Sequence, residues 1–120
     1  MAVIIIVEDE MFIRDAAGWM IEDLGHSPLL AEDLAGALAH MAGDQHIDAL
    51  FVDLRLKELI FGGFDVARQA VQIQPGLPVL YTSGRACTDD MLQLFVQGGR
   101  FLQKPYSPGQ LEAAIGSLLH

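Results

Sequence analysis

The sequence predicts an α/β fold: a doubly wound, five-stranded parallel sheet with helices on both faces, in a single domain spanning residues 1–120. Three observations carry that expectation. Apolar runs are short and continuous rather than alternating, as in strands covered on both sides. Between them lie segments with apolar residues at three- and four-residue spacing, the period of helices packed on a sheet. The two patterns alternate about five times, which is the arrangement of repeated βα units.

In chain order, Ala2–Val7 reads as the first strand, rich in β-branched residues and ending at Glu8-Asp9-Glu10. Met11–Leu24 reads as a helix with Phe12, Ala16, Trp19, Met20 and Leu24 on its apolar side and Gly25 closing it. Trp19 and Met20 are read as core. Ser27–Ala31 is a weaker strand with a proline near its start, and Asp33 is placed to cap a helix running to Met41. Ala49–Val52 is the third strand and stops at Asp53. A helix over Phe64–Ile73 ends at Pro75-Gly76, and Leu77–Tyr81 is the fourth strand, stopping at Thr82-Ser83-Gly84. Thr88–Val96 reads as the fourth helix, ending at Gly98-Gly99. Phe101–Leu102 forms a short fifth strand before Lys104-Pro105. Ser107 is placed to cap a last helix with Pro108 at its first position and Leu111, Ile115, Leu118 and Leu119 facing inward.

Composition excludes several classes. With 52% hydrophobic and 19% charged residues the chain has the apolar content to bury a core. Seven Lys and Arg against 16 Asp and Glu give a net charge of −9. An acidic surface repels phosphate backbones, so direct nucleic-acid binding is not expected. A lone cysteine, Cys87, allows no internal disulfide and fits a reducing, cytoplasmic setting. The first apolar run is too short to span a bilayer and is followed by acids rather than a cleavage site, so no membrane segment or signal peptide is expected. His26, His40, His46 and His120 are scattered without metal-ligand spacing and read as solvated.

Ligands of open parallel sheets bind beyond the carboxyl ends of the strands, where strand order reverses. The strand ends here are Glu8-Asp9-Glu10, Asp53, Thr82-Ser83 and Lys104-Pro105. Carboxylates gathered there repel one another by about 1–4 kcal/mol per contact unless a cation intervenes. A hard divalent ion such as Mg²⁺, which takes a few carboxylates together with phosphate oxygens, suits that set. Neither GxGxxG nor GxxxxGK[ST] is present, and an acidic first turn would repel a bare phosphate, so dinucleotide and nucleotide triphosphate binding are excluded.

Val-Glu-Asp-Glu after strand one, Asp53 after strand three, Tyr-Thr-Ser-Gly after strand four and Lys-Pro-Tyr after strand five together resemble the response-regulator receiver domain of two-component signalling. The resemblance covers essentially the whole chain, in order. It implies a flavodoxin-like (βα)5 fold and a phosphoacceptor, Asp53, charged by a histidine kinase or phosphotransfer protein. It implies that Asp9 ligates Mg²⁺ directly and Glu8 through water, with Asp53 and the backbone carbonyl of Arg55 completing the set. Ser83 falls at the switch hydroxyl, Lys104 at the lysine that neutralises a phosphoryl oxygen, and Phe101 at the aromatic switch position. Pro105 falls after a peptide bond that is usually cis. With no output domain expected, a downstream protein would be met in trans, at a face made by the fourth helix, fifth strand and last helix.

The chain departs from the family pattern in places. A proline often stands four residues after the phosphoacceptor; here it is Lys57. The stretch Leu56–Gly63 is about two residues longer than usual, with apolar Leu59, Ile60 and Phe61 that either fold back on the third helix or meet a partner. Arg55 and Arg85, each two residues past a key position, are expected to cover the phosphoaspartate and slow its hydrolysis. Two other functions remain for comparison: a phosphorylation-independent interaction module of the same shape, and a receiver cut from a hybrid kinase. A haloacid-dehalogenase-type phosphatase would need DxD at the end of strand one and a cap, which this sequence lacks.

Overall fold

The computed structural model describes residues 1–119; His120, grouped above with the solvated histidines, lies outside them. The elements run β1 (Val3–Val7), α1 (Met11–Asp23), β2 (Ser27–Ala31), α2 (Leu34–Met41), β3 (Ala49–Asp53), α3 (Gly62–Ile73), β4 (Val79–Ser83), α4 (Asp89–Leu92), β5 (Arg100–Gln103) and α5 (Pro108–Leu118). All neighbouring strands pair in parallel, in the order β2-β1-β3-β4-β5. Strand order therefore reverses between β1 and β3, which opens a crevice at their carboxyl ends. Pro28, which cannot donate to a ladder, is accommodated because β2 is an edge strand.

Side-chain alternation divides the strands between two cores. Ile5, Val7, Leu50, Val52, Val79 and Tyr81 pack with Ala37 and Met41 of α2 and with Phe64, Val66, Ala67 and Ala70 of α3. Ile4, Ile6, Ala49, Phe51 and Leu80 pack with Ala17 and Ile21 of α1 and with Leu111, Ile115 and Leu118 of α5. Both sheet faces are thus covered, which is why the strands read as unbroken apolar runs.

Several caps match their sequence signals. The Asp33 side chain accepts from the Gly36 N–H at 2.9 Å, and Ser107 and Gln110 form a reciprocal capping box. Gly25 takes φ +87°, and the His26 N–H reaches back to the Ile21 carbonyl, closing α1 in the Schellman manner.

Three expectations need correction. First, the apolar stripe of α1 faces the core only in part: Met20 packs against it, half-buried, whereas Phe12 and Trp19 do not. Phe12 is 81% and Trp19 66% exposed, while Ala17, Gly18 and Ile21 are buried. The helix lies close to the sheet: a Cβ on Gly18 would stand 3.3 Å from the Leu30 side chain. Ala17, Gly18 and Ile21 therefore occupy the contact face and the Phe12 and Trp19 rings lie exposed. Second, β4 begins at Val79 rather than Leu77, because Leu77 still belongs to the turn, its N–H bonded to the Gln74 carbonyl. Third, α4 is a single turn, Asp89–Leu92, and does not reach Val96. The Tyr81 hydroxyl accepts the Val96 N–H at 3.0 Å, and the Phe95 ring stacks on Tyr81 at 4.4 Å, so the chain after α4 turns into the core instead of extending the helix.

The third helix begins at Gly62, earlier than the expected Phe64. Its second residue, Gly63, packs directly on the end of β3: a Cβ there would lie 2.8 Å from the Leu54 Cα and would run into the Asp53 carbonyl oxygen. Gly63→Ala is expected to destabilise the fold by about 1–3 kcal/mol, as overpacking against rigid backbone does. Urea denaturation monitored by circular dichroism measures it, and an unchanged midpoint would contradict the close approach.

Candidate functional site

The carboxyl ends of β1, β3 and β5 deliver their polar residues to one place. Glu8, Asp9 and Asp53 each contribute a carboxylate oxygen lying within 4.8 Å of the others. Among the described residues no histidine joins them. Glu8 and Asp53 are buried, Asp9 half-buried. Glu10 does not join the cluster: its side chain is exposed and its N–H donates to Glu8 Oε2 at 3.2 Å.

Lys104 arrives from the end of β5. Its ammonium lies 2.6 Å from Glu8 Oε1 and 3.0 Å from Asp53 Oδ2, bridging residues 96 and 51 positions away in sequence. The next peptide bond, Lys104-Pro105, is cis. Burial works against the charge on Lys104, but the two carboxylates outweigh it and raise its pKa. Burial also pushes the Glu8 carboxyl up to about 7, with the Asp53 charge adding to the rise and the Lys104 hydrogen bond opposing it.

Asp9 behaves differently. Its partial burial favours the neutral form, yet the Lys57 N–H, 2.8 Å from Oδ2, and a hydrogen bond with Glu8 hold its pKa below the ordinary value. Lys57 has φ +57°, inside a two-residue turn closed by reciprocal bonds between Leu56 and Leu59. Proline, fixed near φ −65°, cannot take that conformation, which accounts physically for the absence of proline at this place. The role of the Lys57 main chain was not visible in the sequence; the missing proline and the longer Leu56–Gly63 stretch were the signs that the loop ran differently.

A cleft of about 780 Å³ opens over the cluster. Asp9, Asp53, Ser83 and Lys104 line its floor end, with Arg55, Lys57 and Arg85 also on its walls. Ser83 is buried, and its Oγ accepts the Arg85 N–H at 3.1 Å. Arg55 and Arg85 are exposed. Thr82, read with Ser83 as one strand end, lines a second, small cavity with Glu8, Phe51, Asp53 and Tyr106, and its buried hydroxyl has no hydrogen-bond partner among the described residues. Phe101 lies half-buried on β5, its ring 6.5 Å from that of Phe95. In the long loop, Leu56 is buried, whereas Leu59, Ile60 and Phe61 are exposed; Phe61 leans on Phe64 with ring centres 5.7 Å apart. The loop thus folds back in part and presents the rest.

An all-oxygen donor set at this spacing can hold a hard cation. It also makes stability depend on pH. In the unfolded chain Glu8 gives up its proton near 4.5, whereas in the folded chain it keeps it to about 7. Between those values the folded state binds more protons, so Glu8 lowers stability as pH rises and adds no slope above the upper limit. Glu8→Gln is expected to flatten the stability profile across that window. Urea midpoints taken from pH 5 to 8, without divalent ions, test it; parallel profiles for the two proteins would refute the assignment.

The described geometry has close counterparts. The model of the response regulator receiver domain family matches residues 4–116. The transcriptional regulatory protein CreB of Escherichia coli is 30% identical over 115 residues, covering 95% of this chain and 49% of that protein. This chain spans about half the length of the curated relatives it matches. A receiver protein of Sinorhizobium medicae superposes with a TM-score of 0.86 at 27% identity, covering 98% of this chain and 94% of that one. NtrX of Brucella abortus gives 0.87 at 28% identity, covering 98% of this chain and 27% of its own. Both the match along nearly the full sequence and the likeness of the folds lead to one conclusion: this chain belongs to the response regulator receiver domain family.

Proposed function

We propose that Asp53 accepts a phosphoryl group from a phosphohistidine of a kinase or phosphotransfer protein, with Mg²⁺ as cofactor. The observation that supports this best is the Lys104 ammonium 3.0 Å from Asp53 Oδ2, with Ser83 lining the same cleft. An Asp53 oxygen attacks phosphorus, the donor's N–P bond breaks, and its electron pair returns to the imidazole nitrogen. A carboxylate is a weak nucleophile, so the chain acts mainly by placing it in line and by balancing charge on the transferred group.

Asp9, Asp53 and the Arg55 carbonyl would hold the metal directly, and Glu8 would act on it through water. The oxygen-only chemistry of Glu8, Asp9 and Asp53 fits that ion. Bound there, it would offset negative charge on the phosphoryl oxygens. Lys104 turns from Glu8 toward a phosphoryl oxygen, and the Ser83 hydroxyl, which now accepts from the Arg85 N–H, turns to meet another. These contacts draw the loop after β4 inward. The Phe101 ring, already packed on Phe95, then moves further into the core. The face formed by α4, β5 and α5 changes with it, and a protein target in trans that prefers this form is recruited. The domain works in the cytoplasm and needs no contact with nucleic acid or membrane; no helix among the described residues is long and apolar enough to cross a bilayer.

Incubation with acetyl phosphate and Mg²⁺, read by intact mass, is expected to give an adduct of about 80 Da. The adduct is absent in Asp53→Asn. No adduct with any phosphodonor would favour the phosphorylation-independent module instead.

Arg55 and Arg85, both exposed on the cleft, are assigned to covering the phosphoaspartate from attacking water. Arg55→Ala with Arg85→Ala is expected to speed phosphate release several-fold. An unchanged or slower rate, measured by following loss of the phosphoryl adduct, would sink that role.

A further inference from the structure

We infer that the small cavity behind the phosphoacceptor is a water-binding site, walled by Thr82, Asp53, Glu8 and Tyr106, and that through this water Thr82 is a positioning residue for the Asp53 carboxylate. The positioning role rests on Asp53 being the phosphoacceptor; the water site does not.

Strand register puts the polar groups in one row. Asp53 of β3 pairs with Thr82 of β4, two positions after Phe51 pairs with Leu80. Residues two apart on a strand share a face, so Asp53 and Thr82 stand on the α1/α5 side with Phe51 and Leu80. Glu8, two residues after Ile6, joins them from the end of β1, and all three line the cavity. Neighbouring strands stand about 4.8 Å apart, a gap that one water spans between two side chains.

Thr82 is the member of that row that lacks a partner. It is 4% exposed, and its hydroxyl has no hydrogen-bond partner among the described residues. A buried hydroxyl left so is costly, whereas valine would fill the same space without that cost. The cavity beside it measures about 10 Å³. That is the size at which a single water just fits, about 10–15 Å³, provided that polar groups surround it. Thr82, the carboxyls of Glu8 and Asp53, and Tyr106 supply them. The Tyr106 phenol lies near enough to sense both carboxylates: burial raises its pKa, Lys104 opposes the rise, and the Glu8 and Asp53 charges add to it.

The water would complete the hold on Asp53. Lys104 grips it by one oxygen, Oδ2, and a single contact does not fix the plane of a carboxylate. A second contact relayed from Thr82 fixes that plane, and in-line transfer depends on such orientation. Thr82 does not line the larger cleft where the phosphoryl group arrives, so it acts only through Asp53.

A high-resolution crystal structure of the parent is expected to show an ordered water within hydrogen-bond distance of Thr82 Oγ1, absent from Thr82→Val. With acetyl phosphate and Mg²⁺, Thr82→Val should form the phosphoryl adduct about two- to tenfold more slowly than the parent, the weight of one hydrogen bond. Thr82→Ser, which keeps the hydroxyl, should restore the rate. A hydroxyl with a merely structural role would move the urea midpoint and leave that rate alone. A dry cavity, a protein group bonded directly to the Thr82 hydroxyl, or a parent-like rate in Thr82→Val would overturn the inference. A parent that holds the water yet takes no phosphoryl group from any donor would overturn the positioning role together with the phosphoacceptor reading, and the water site would stand.

Discussion

The site depends on one buried cation set between two buried carboxylates. Lys104 sits where Glu8 and Asp53 would otherwise face each other at the point where strand order reverses. Removing water from such a group is costly, and the attraction of two partners at 2.6 and 3.0 Å is what makes its charged form tolerable there. The same contact joins the ends of β1, β3 and β5, which no hydrogen-bond ladder connects all at once, since β4 stands between β3 and β5. With the three carboxylates ionised, one ammonium leaves the cluster with two negative charges unbalanced. A divalent cation would balance them, and a phosphoryl group would upset that balance again. The residues that stabilise the empty-handed state and those that respond to the added charge are therefore the same residues, which is a sound basis for a switch.

Much of this was legible in the sequence because a parallel sheet turns each strand end into an address. Glu8, Asp9, Asp53, Ser83 and Lys104 each follow a continuous apolar run, and parallel pairing forces all those ends to one edge. What could not be read was orientation. The stripe Phe12-Ala16-Trp19 has helical spacing whether it faces in or out, and spacing alone favours the face with the largest residues. Packing reverses that choice in part: Ala17, Gly18 and Ile21 take the buried side of the helix with Met20 at its border, and the Phe12 and Trp19 rings are left outside. The end of α4 was hidden for a related reason. Leu94, Phe95 and Val96 look like helix continuation, but Phe95 gains more by entering the aromatic group around Tyr81 than by extending a short helix in water.

Lys57 shows how a departure from a family pattern can hold a site together by other means. A proline at that place would donate no main-chain hydrogen bond. With lysine in the left-handed region, the N–H is free to bond Asp9, fixing the carboxylate furthest from Lys104. The lysine side chain also reaches to within 3.7 Å of Asp33, the residue that caps α2. This exposed pair adds little stability, yet it ties the turn to the neighbouring βα unit. The loop that carries Leu59, Ile60 and Phe61 is thus anchored at its start by a metal-competent carboxylate and at its end by the packing of Gly63 on β3.

The two cores divide the labour. Phe61, Phe64, Tyr81, Phe95 and Phe101 form a chain of ring contacts with centres 4.4 to 6.5 Å apart, running from the long loop across β4 to β5. Tyr81 lies two residues before Ser83 on β4, so a shift of the β4 end acts on the middle of that chain. Large flat rings can slide and tilt with little loss of contact, which suits a face that must hold two arrangements. The opposite core is built mostly of aliphatic side chains. There Ala17 and Ile21 of α1 pack with Ile4, Ile6, Phe51 and Leu80 of the sheet and with Leu111, Ile115 and Leu118 of α5. The ring contacts beside α3 can therefore adjust with the charge at Asp53, and β5, which turns Phe101 toward those rings and Leu102 toward the α5 side, is the strand through which such a change reaches the α4, β5 and α5 face.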